Sequence, residues 1–138
     1  MIYSAGILFF KKIGGITFVY LVHPSSTIHD NRKATWSIPK GEYDPFSESS
    51  YSAAIREIKE ELGLAVSELM LQYLGQVVYK NRRKVVIAFV HELPDQKVVL
   101  SWEIDAFAPF TLDAAKTHLH PDQVEFITRL KTHLEVTE

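Results

Sequence analysis

Three glutamates crowd the end of one short amphipathic segment, and this segment constrains the fold more than any other part of the chain. At about 100° per residue in an α-helix, Glu57, Glu60 and Glu61 project from one face. Apolar residues repeat with the same period on the opposite side, namely Tyr51, Ile55, Ile58 and Leu62. The segment is therefore predicted to form a helix that buries one side in a core and displays concentrated negative charge on the other.

The predicted helix carries signals at both ends. Ser49 is its predicted N-cap, Leu62 its last residue and Gly63 its C-terminal cap. Glu60 and Glu61 fall in the last turn, where the helix dipole disfavours anions and each like-charge pair costs about 0.2–0.5 kcal/mol. A bound cation would remove both penalties, so we interpret the acidic side as a metal site.

Composition limits the class of protein. The 138 residues and their 46% hydrophobic content are enough for one domain, residues 1–138, with a substantial core. The formal net charge of -2 argues against a partner such as extended nucleic acid and favours small charged ligands. The chain has no cysteine, which excludes disulfides, thiolate zinc sites and cysteine nucleophiles. His118 and His120 are spaced too closely and lack partners for a zinc site, so both are predicted to lie on the surface.

The apolar run near the amino terminus is too short to span a bilayer, and no basic residues precede it. We predict that it forms a strand in a cytoplasmic protein that has no membrane partner.

Strand and turn patterns surround the predicted helix. Residues 3–11 and 17–23 read as one hairpin, and residues 69–79 and 84–93 as another, in which Tyr79 and Phe89 pack within the strands. Residues 98–102 are consistent with a strand or an extended loop. Thr111 is the predicted cap of a short helix through Thr117, and Pro121 is predicted to begin a second helix. This order favours a mixed α/β sandwich over a doubly wound parallel sheet.

Residues 41–64 also resemble a family motif. Gly41, Glu48 and the run Arg56-Glu57-Ile58-Lys59-Glu60-Glu61-Leu62-Gly63-Leu64 are similar to the Nudix box, in which Gly, five residues, Glu and seven residues precede Arg-Glu-apolar-x-Glu-Glu-x-Gly-apolar. Seven residues separate Glu48 from Arg56 here, but six separate Gly41 from Glu48. The inserted residue is expected to reshape the turn at residues 43–47 and to leave the helix acids unaffected.

The resemblance extends beyond the box. Residues 4–8, 21–24 and 36–42 are similar to a bacterial-type subgroup of Nudix hydrolases. The resemblance implies an α/β fold, the Nudix-type α/β/α sandwich with a mixed β-sheet. It also implies hydrolysis of a nucleoside diphosphate linked to another group, with Mg²⁺ or Mn²⁺ as the cofactor. Those hard cations prefer carboxylate oxygens and bridge phosphates, which agrees with a cluster of glutamates.

The same resemblance assigns roles to individual residues. The expected metal ligands are Glu57, Glu60, Glu61 and the backbone carbonyl of Gly41. Glu60 and Glu61 are the acids most expected to be essential for catalysis, and Arg56 is expected to orient a glutamate side chain. The general base comes either from the box glutamates or from a downstream loop, where Glu103 is the first candidate, followed by Glu92 and Asp105. The expected substrate-binding residues are Lys40, Trp36 and Arg82, with Arg83 and Lys84 beside Arg82.

Each of these roles has a simpler alternative. An isolated Glu-x-x-Glu-Glu pattern is more often a solvated helix surface than a metal site, although the flanking Gly41, Arg56 and Gly63 favour the site here. Arg56 could instead form an ordinary surface ion pair with Glu60, worth under about 0.5 kcal/mol. On the simpler view, Trp36 is an aromatic residue of the core or of its rim, and Glu103 is an ordinary surface acid. The charges of residues 82–84 then contribute only to solubility.

Two functions follow from the sequence. The first is a Nudix hydrolase acting on a nucleotide, with dinucleoside polyphosphates slightly favoured over nucleoside triphosphates because residues 36–42 are similar to the segment of dinucleoside polyphosphate hydrolases. Substrate choice is expected to depend on loops at residues 24–33 and 95–105. The alternative is a catalytically weak module that senses nucleotides or binds proteins. Such modules usually have a broken set of acids, whereas this chain keeps Glu57, Glu60 and Glu61.

Overall fold

The computed structural model describes residues 1–25 and 35–138. Its strands are β1 (Ile2–Ile13), β2 (Ile16–Pro24), β3 (Lys40–Tyr43), β4 (Gln72–Val78), β5 (Lys84–Glu92) and β6 (Ile104–Thr111). Its α-helices are α1 (Ser50–Leu62), α2 (Leu112–His118) and α3 (Glu125–Leu134), and single 3₁₀ turns lie at Glu68–Met70 and Pro121–Gln123. Part of the loop expected to influence substrate choice, residues 26–34, lies outside the described residues.

The six strands form one mixed sheet around β1. The main order is β4-β5-β1-β2-β6, and β3 pairs with β1 beside that path. β1 is long enough to pair with β3 through Tyr3 to Gly6 and with β2 through Phe9 to Ile13, while β5 runs parallel along its other edge. The remaining pairs are antiparallel. β1 is therefore the strand that connects the hairpins to β3.

Helices cover both faces of this sheet. Ala5, Ile7 and Phe9 alternate toward the face where Ile58 and Leu62 of α1 pack. Leu8 belongs to the opposite core, which includes Val86 and Ala88 of β5 and the α3 residues Phe126, Ile127 and Leu130. The predicted α/β sandwich with a mixed sheet is confirmed.

Helix α1 has the ends that the sequence predicts. The Ser49 hydroxyl accepts a hydrogen bond from the Ser52 backbone N–H at 3.1 Å. Gly63 adopts the left-handed conformation with φ 69°, and its N–H donates to the Lys59 carbonyl. A side chain at position 63 would be strained in this conformation, which explains the glycine.

Residues 98–102 form the loop that the sequence left open as the alternative to a strand. Three other features differ from the predictions. The strand that follows the second hairpin is β6, Ile104–Thr111, which was not predicted. Pro109 conceals β6 in the sequence, and the strand tolerates it because β6 lies at the sheet edge. Pro121 begins a 3₁₀ turn, and the helix proper starts at Glu125. The strand expected from residue 69 begins only at Gln72, after a 3₁₀ turn capped by Ser67.

Within residues 1–25 and 35–138, no helix combines the length and apolar character that crossing a membrane requires.

Candidate active site

One cleft of about 820 Å³ brings most of the chemically active side chains together. Its acids come from α1, from β3 and from the loop before β6, and its lysines come from β3 and β5. The lining residues are Ser4, Val22, Pro24, Thr35, Ser37, Ile38, Lys40, Gly41, Glu42, Glu57, Glu60, Glu61, Tyr79, Lys84, Glu103, Ile104, His120 and Gln123. Acidic and basic groups therefore face the same space.

The close crossing of β1 by the start of β3 shapes this cleft. A Cβ atom added at Gly6 would lie 2.2 Å from the Pro39 carbonyl oxygen, so only glycine permits the approach. The Ile7 backbone N–H donates to that same carbonyl at 3.1 Å. Lys40 and Gly41 follow directly, and this contact places both in the cleft wall.

Gly41 and Glu57 are in direct contact. An ideal Cβ atom at Gly41 would lie 1.9 Å from Glu57 Oε2. The carboxylate thus occupies the space that any other residue at position 41 would fill. The structure brings together the backbone of β3 and the first of the three helix acids.

Arg56 ties several acids together. Its Nη2 lies 2.5 Å from Glu48 Oε1 and its Nε lies 3.4 Å from Glu48 Oε2, so the pair is bidentate. Its Nη1 donates to Glu57 Oε1 at 2.8 Å and is 3.5 Å from each oxygen of Glu60. These contacts raise the pKa of the guanidinium, with Glu48 as the largest cause. The bond to Glu48 is the shortest, and the predicted pairing with Glu60 is the longest contact.

The turn that begins at Asp44 accommodates the inserted residue of the box. Asp44 Oδ1 accepts from the Phe46 N–H at 2.9 Å, and Oδ2 accepts from the Ser47 hydroxyl at 2.8 Å. The Phe46 side chain is 98% exposed. The turn projects away from the protein, and Glu48 still reaches Arg56.

Burial perturbs the charges on both sides of the cleft. It raises the pKa of Glu61 to about 8, opposed by the charge of Lys40 and reinforced by Glu57 and Glu103. Burial also raises the pKa of Glu57, which Arg56 partly offsets. The pKa of Lys40 falls to about 8, first through burial and then through the nearby charge of Lys84. Each effect disfavours the charged form, so these groups carry an electrostatic cost that an ionic ligand can relieve.

The donor atoms suit a hard divalent cation. Glu57, Glu60 and Glu61 offer carboxylate oxygens, and Gly41, which Glu57 contacts, has a backbone carbonyl of the same donor type. Among the described residues, however, no three acidic or imidazole side chains gather into a ready-made cation site. Oxygens of Glu57 and Glu60 are instead engaged by the Arg56 guanidinium. The residues fit such an ion by type, and they have to rotate to converge on it.

Glu103 reaches the cleft from the loop before β6. Its carbonyl accepts from the Ser25 N–H at 2.9 Å, and its own N–H contacts the Ser101 hydroxyl at 3.3 Å. The other two base candidates lie outside the cleft lining, and Asp105 instead bonds His23 Nδ1 at 3.0 Å. Of the three downstream acids, Glu103 alone is brought to the helix acids.

Two predicted substrate-binding residues are not in the cleft lining. Arg82 is exposed on the turn between β4 and β5, where its φ is 60°. The Trp36 ring packs 5.1 Å from His23 and 4.8 Å from Phe110, measured between ring centroids. Lys84 is the residue of the 82–84 group that lines the cleft, so the roles of Arg82 and Trp36 stay predictions.

Other cleft residues were missed or misread in the sequence. His120, predicted as a surface residue, lines the cleft and stacks on Tyr79 with centroids 4.4 Å apart. Burial lowers the pKa of that imidazole. Tyr79, predicted only to pack, accepts a hydrogen bond from fully buried Gln123 at 2.8 Å. Its ring lies 5.9 Å from Lys84 Nζ. The alternation along β4 and β5 could have placed Tyr79 near Lys84, whereas the sequence carries no signal for Gln123.

The arrangement matches a known domain. The model of the family described as NUDIX domain matches residues 3–130. The chain belongs to the Nudix family. A search among proteins of curated function finds no match.

Solved Nudix structures share the fold over nearly the whole chain. An Ap4A hydrolase from C. elegans, in a binary complex, has a TM-score of 0.76 and 25% identity, with 98% of each chain covered. The NUDIX domain of Shewanella oneidensis NrtR, complexed with ADP ribose, has a TM-score of 0.76 at 16% identity, covering 97% of this chain and 88% of that one. A MutT protein from Methanosarcina mazei Go1 has a TM-score of 0.73 at 24% identity, covering 97% and 95%.

Membership in the Nudix family makes this chain an enzyme of the pyrophosphohydrolase class. The acid-rich helix of the Nudix box is α1, and its glutamates share with two lysines a cleft of a size suited to a small ligand.

Proposed function

We propose that this Nudix enzyme uses a divalent metal ion, Mg²⁺ or Mn²⁺, to cleave a phosphoanhydride bond in a nucleoside diphosphate linked to another group. The observation that carries the proposal is that Glu57, Glu60 and Glu61 line the same cleft as Lys40 and Lys84. A polyphosphate is repelled by the acids and attracted by the lysines. A bound cation would offset the repulsion between the phosphate oxygens and the acids.

The metal ligands in this proposal are Glu57, Glu60, Glu61 and the Gly41 carbonyl. When bound, the ion neutralises phosphate charge and polarises the phosphorus–oxygen bonds. Arg56 orients Glu57 and Glu48, because its contacts with those two carboxylates are its shortest. This makes Arg56 a positioning residue and leaves its guanidinium out of the bond-breaking step.

The remaining residues bind the phosphates and handle the proton. Lys40 and Lys84 attract phosphoryl oxygens within the same cleft. Water attacks phosphorus, its proton passes to a carboxylate, and the leaving group departs as a phosphate or phosphate ester. Glu103 and the box glutamates are the candidates for that base. Glu103 is supported by its place in the lining and by its effect on the Glu61 pKa.

The proposed substrates are dinucleoside polyphosphates, with nucleoside triphosphates next. The C. elegans Ap4A hydrolase supports this order, since the two chains match over 98% of their lengths. Residues 1–138 form the proposed catalytic domain, which the family match over residues 3–130 supports. We propose a cytoplasmic location, where nucleotides are available.

A second candidate is a nucleotide-sensing module with weak turnover. This chain shares its fold with the NUDIX domain of NrtR, which was solved in complex with ADP ribose. A Nudix fold that binds a nucleotide-type ligand is what this alternative requires. The intact acid set of α1 favours the enzyme.

The deciding experiment is phosphate release from a panel of nucleotides. Dinucleoside polyphosphates, nucleoside triphosphates, nucleotide sugars, ADP-ribose and capped RNA are assayed with Mg²⁺, with Mn²⁺ and with EDTA. We expect turnover only with metal, and Glu61→Gln should lower it by about two orders of magnitude or more while the protein stays folded. Glu68→Gln, on the exposed turn after α1, is the matched control and should keep parental turnover. No turnover by the parent on any substrate, or full turnover by Glu61→Gln, overturns the proposal.

A further inference from the structure

Ser4 carries a buried hydroxyl that has no hydrogen-bond partner. Its residue is 0% exposed, and its Oγ is the single such atom among the buried side-chain nitrogen and oxygen atoms of the described residues. A buried hydroxyl without a partner destabilises the folded protein. The atom nevertheless belongs to a residue that lines the cleft, so a ligand there can supply the missing partner.

The sheet register places Ser4 between two lysines. On β3, Glu42 lies opposite Ser4 and Lys40 lies opposite Gly6. On β5, Val86 lies beside Ser4 and Lys84 beside Ile2. Because paired residues share a face and side chains alternate along a strand, Ser4, Lys40 and Lys84 project from the same face of the sheet.

The two lysines converge from opposite sides of β1. Lys40 reaches in from β3 and Lys84 from β5, and their charges interact directly. Ser4 lies on the strand between them, and all three line the cleft. Two ammonium groups and a hydroxyl without a partner are three donor groups that one anion can contact.

Neighbouring groups do not satisfy the hydroxyl. Glu42 lies directly across from Ser4 but forms no hydrogen bond with it. Ser37, another serine of the cleft, differs because its hydroxyl donates to the Ile38 carbonyl at 2.7 Å and accepts from Gln123 at 3.0 Å. Ser37 is thus committed to the protein, whereas Ser4 remains available.

We propose that the Ser4 hydroxyl donates a hydrogen bond to a phosphoryl oxygen of the substrate, at a position between Lys40 and Lys84. The inference rests on the proposed function only in that the ligand carries phosphates. Ser4 adds a directional donor to the two ammonium charges, so it fixes where a phosphate sits between the lysines. It is a substrate-binding residue and takes no part in the proton transfer.

The test compares Ser4→Ala with the parent in binding, turnover and stability. Binding of inorganic pyrophosphate is measured by titration calorimetry with Mg²⁺ present, and KM and kcat are measured with the best nucleotide of the panel. We expect Kd and KM to rise about ten- to a hundredfold, the range for one hydrogen bond to a charged group, with kcat little changed. The urea midpoint of the free protein should stay equal or rise, because the variant removes an unsatisfied polar group.

Thr17→Val is the matched control. Thr17 is also buried, but its hydroxyl donates to Glu138 at 2.8 Å, and the residue is absent from the cleft lining. This variant should lower the urea midpoint and leave Kd and KM unchanged, the reverse of the pattern expected for Ser4→Ala.

Two outcomes overturn the assignment of Ser4. One is an unchanged Kd and KM in Ser4→Ala, and the other is a parent that binds no pyrophosphate. Failure of the proposed function is a separate result. If the parent has no turnover, calorimetry on the parent and on Ser4→Ala still shows whether Ser4 contributes to phosphate binding.

Discussion

Gln96 and Ala65 exchange two hydrogen bonds: the Ala65 N–H donates to Gln96 Oε1, and Gln96 Nε2 donates to the Ala65 carbonyl, each at 2.9 Å. The same loop continues to the end of α1. There the Val99 N–H donates to the Leu62 carbonyl and the Ser101 N–H donates to the Glu61 carbonyl, both at 2.9 Å. These bonds satisfy carbonyls that a helix end leaves unpaired. They also hold the loop that carries Glu103 against the helix that carries Glu61.

Gln96→Ala should therefore lower turnover without weakening substrate binding. The side chain acts through the loop, and its loss lets Glu103 move relative to Glu61. We expect kcat to fall about three- to thirtyfold with KM nearly unchanged, since misplacement of a reacting group raises the barrier. Steady-state kinetics with a saturating metal ion measure the split. Gln72→Ala, which loses a side-chain bond to His133 on the outside of the sheet, is the control and should match the parent. Equal losses in the two variants would show that Gln96 has no positioning role.

Gly41→Ala should weaken metal binding more than folding. The new methyl group would meet Glu57 Oε2 at 1.9 Å, and this flexible carboxylate can move aside at small cost. The displaced carboxylate then no longer lies against Gly41. We expect the Mg²⁺ concentration for half-maximal activity to rise about 10–100-fold, as for other changes that disturb ligand orientation. Activity measured across a magnesium titration provides the comparison, with the urea midpoint as the check on folding. A parental magnesium requirement would separate Gly41 from the metal site.

Arg56→Lys should impair the enzyme although the charge is kept. Lysine cannot reproduce the bidentate contact with Glu48 together with the bond to Glu57. We expect kcat/KM to fall about tenfold or more, corresponding to at least 1.4 kcal/mol. Arg129→Lys is the control, because Arg129 forms an ion pair with Glu125 on α3, away from the cleft. Similar activity in both variants would reduce Arg56 to a surface ion pair.

Stability should fall as pH rises toward 8 when no divalent ion is present. Burial raises the pKa of Glu61 from 4.5 to about 8. Between these values the folded protein retains a proton that the unfolded chain has released, so the free energy of unfolding decreases with pH. Lys40 acts in the opposite sense between pH 8 and 10.5, because its pKa is lowered and the unfolded chain binds the extra proton there.

Urea unfolding in EDTA from pH 5 to pH 8 measures this slope. Glu61→Gln should flatten it, and added Mg²⁺ should do the same in the parent, since a cation favours the ionised carboxylate. A slope in Glu61→Gln as steep as that of the parent would assign the effect to other groups.

Sequence reasoning succeeded where the determining contacts are local. Ser49 and Gly63 cap α1 through bonds that span three or four residues, and the helical period sorts the apolar from the acidic side within the same segment. The box motif likewise has fixed local spacing. Both hairpins were recognised for the same reason, with errors of a few residues at the start of β4.

The errors fall where distant segments decide the structure. β6 was missed because Pro109 breaks its strand pattern, and its pairing with β2 spans most of the chain. His120 was assigned to the surface, but it stacks on Tyr79. The sequence around His120 carries no signal for this contact, because Tyr79 belongs to a distant segment. The hydrogen bond that Gln123 donates to the Tyr79 hydroxyl joins the same two segments, and those two residues are 44 positions apart in the sequence.

The amino-acid sequence by itself determined the helix with the acidic side, the α/β class and the family. Each of these depends on spacing within a short segment or on the order of elements. The tertiary structure alone decided which charges face one another. It placed Lys40 and Lys84 on either side of Ser4, set the Glu57 carboxylate against Gly41, and turned Arg82 away from the cleft lining. The physical reason is that burial and Coulomb interactions depend on distance in space, which pairing between remote strands fixes and local pattern does not.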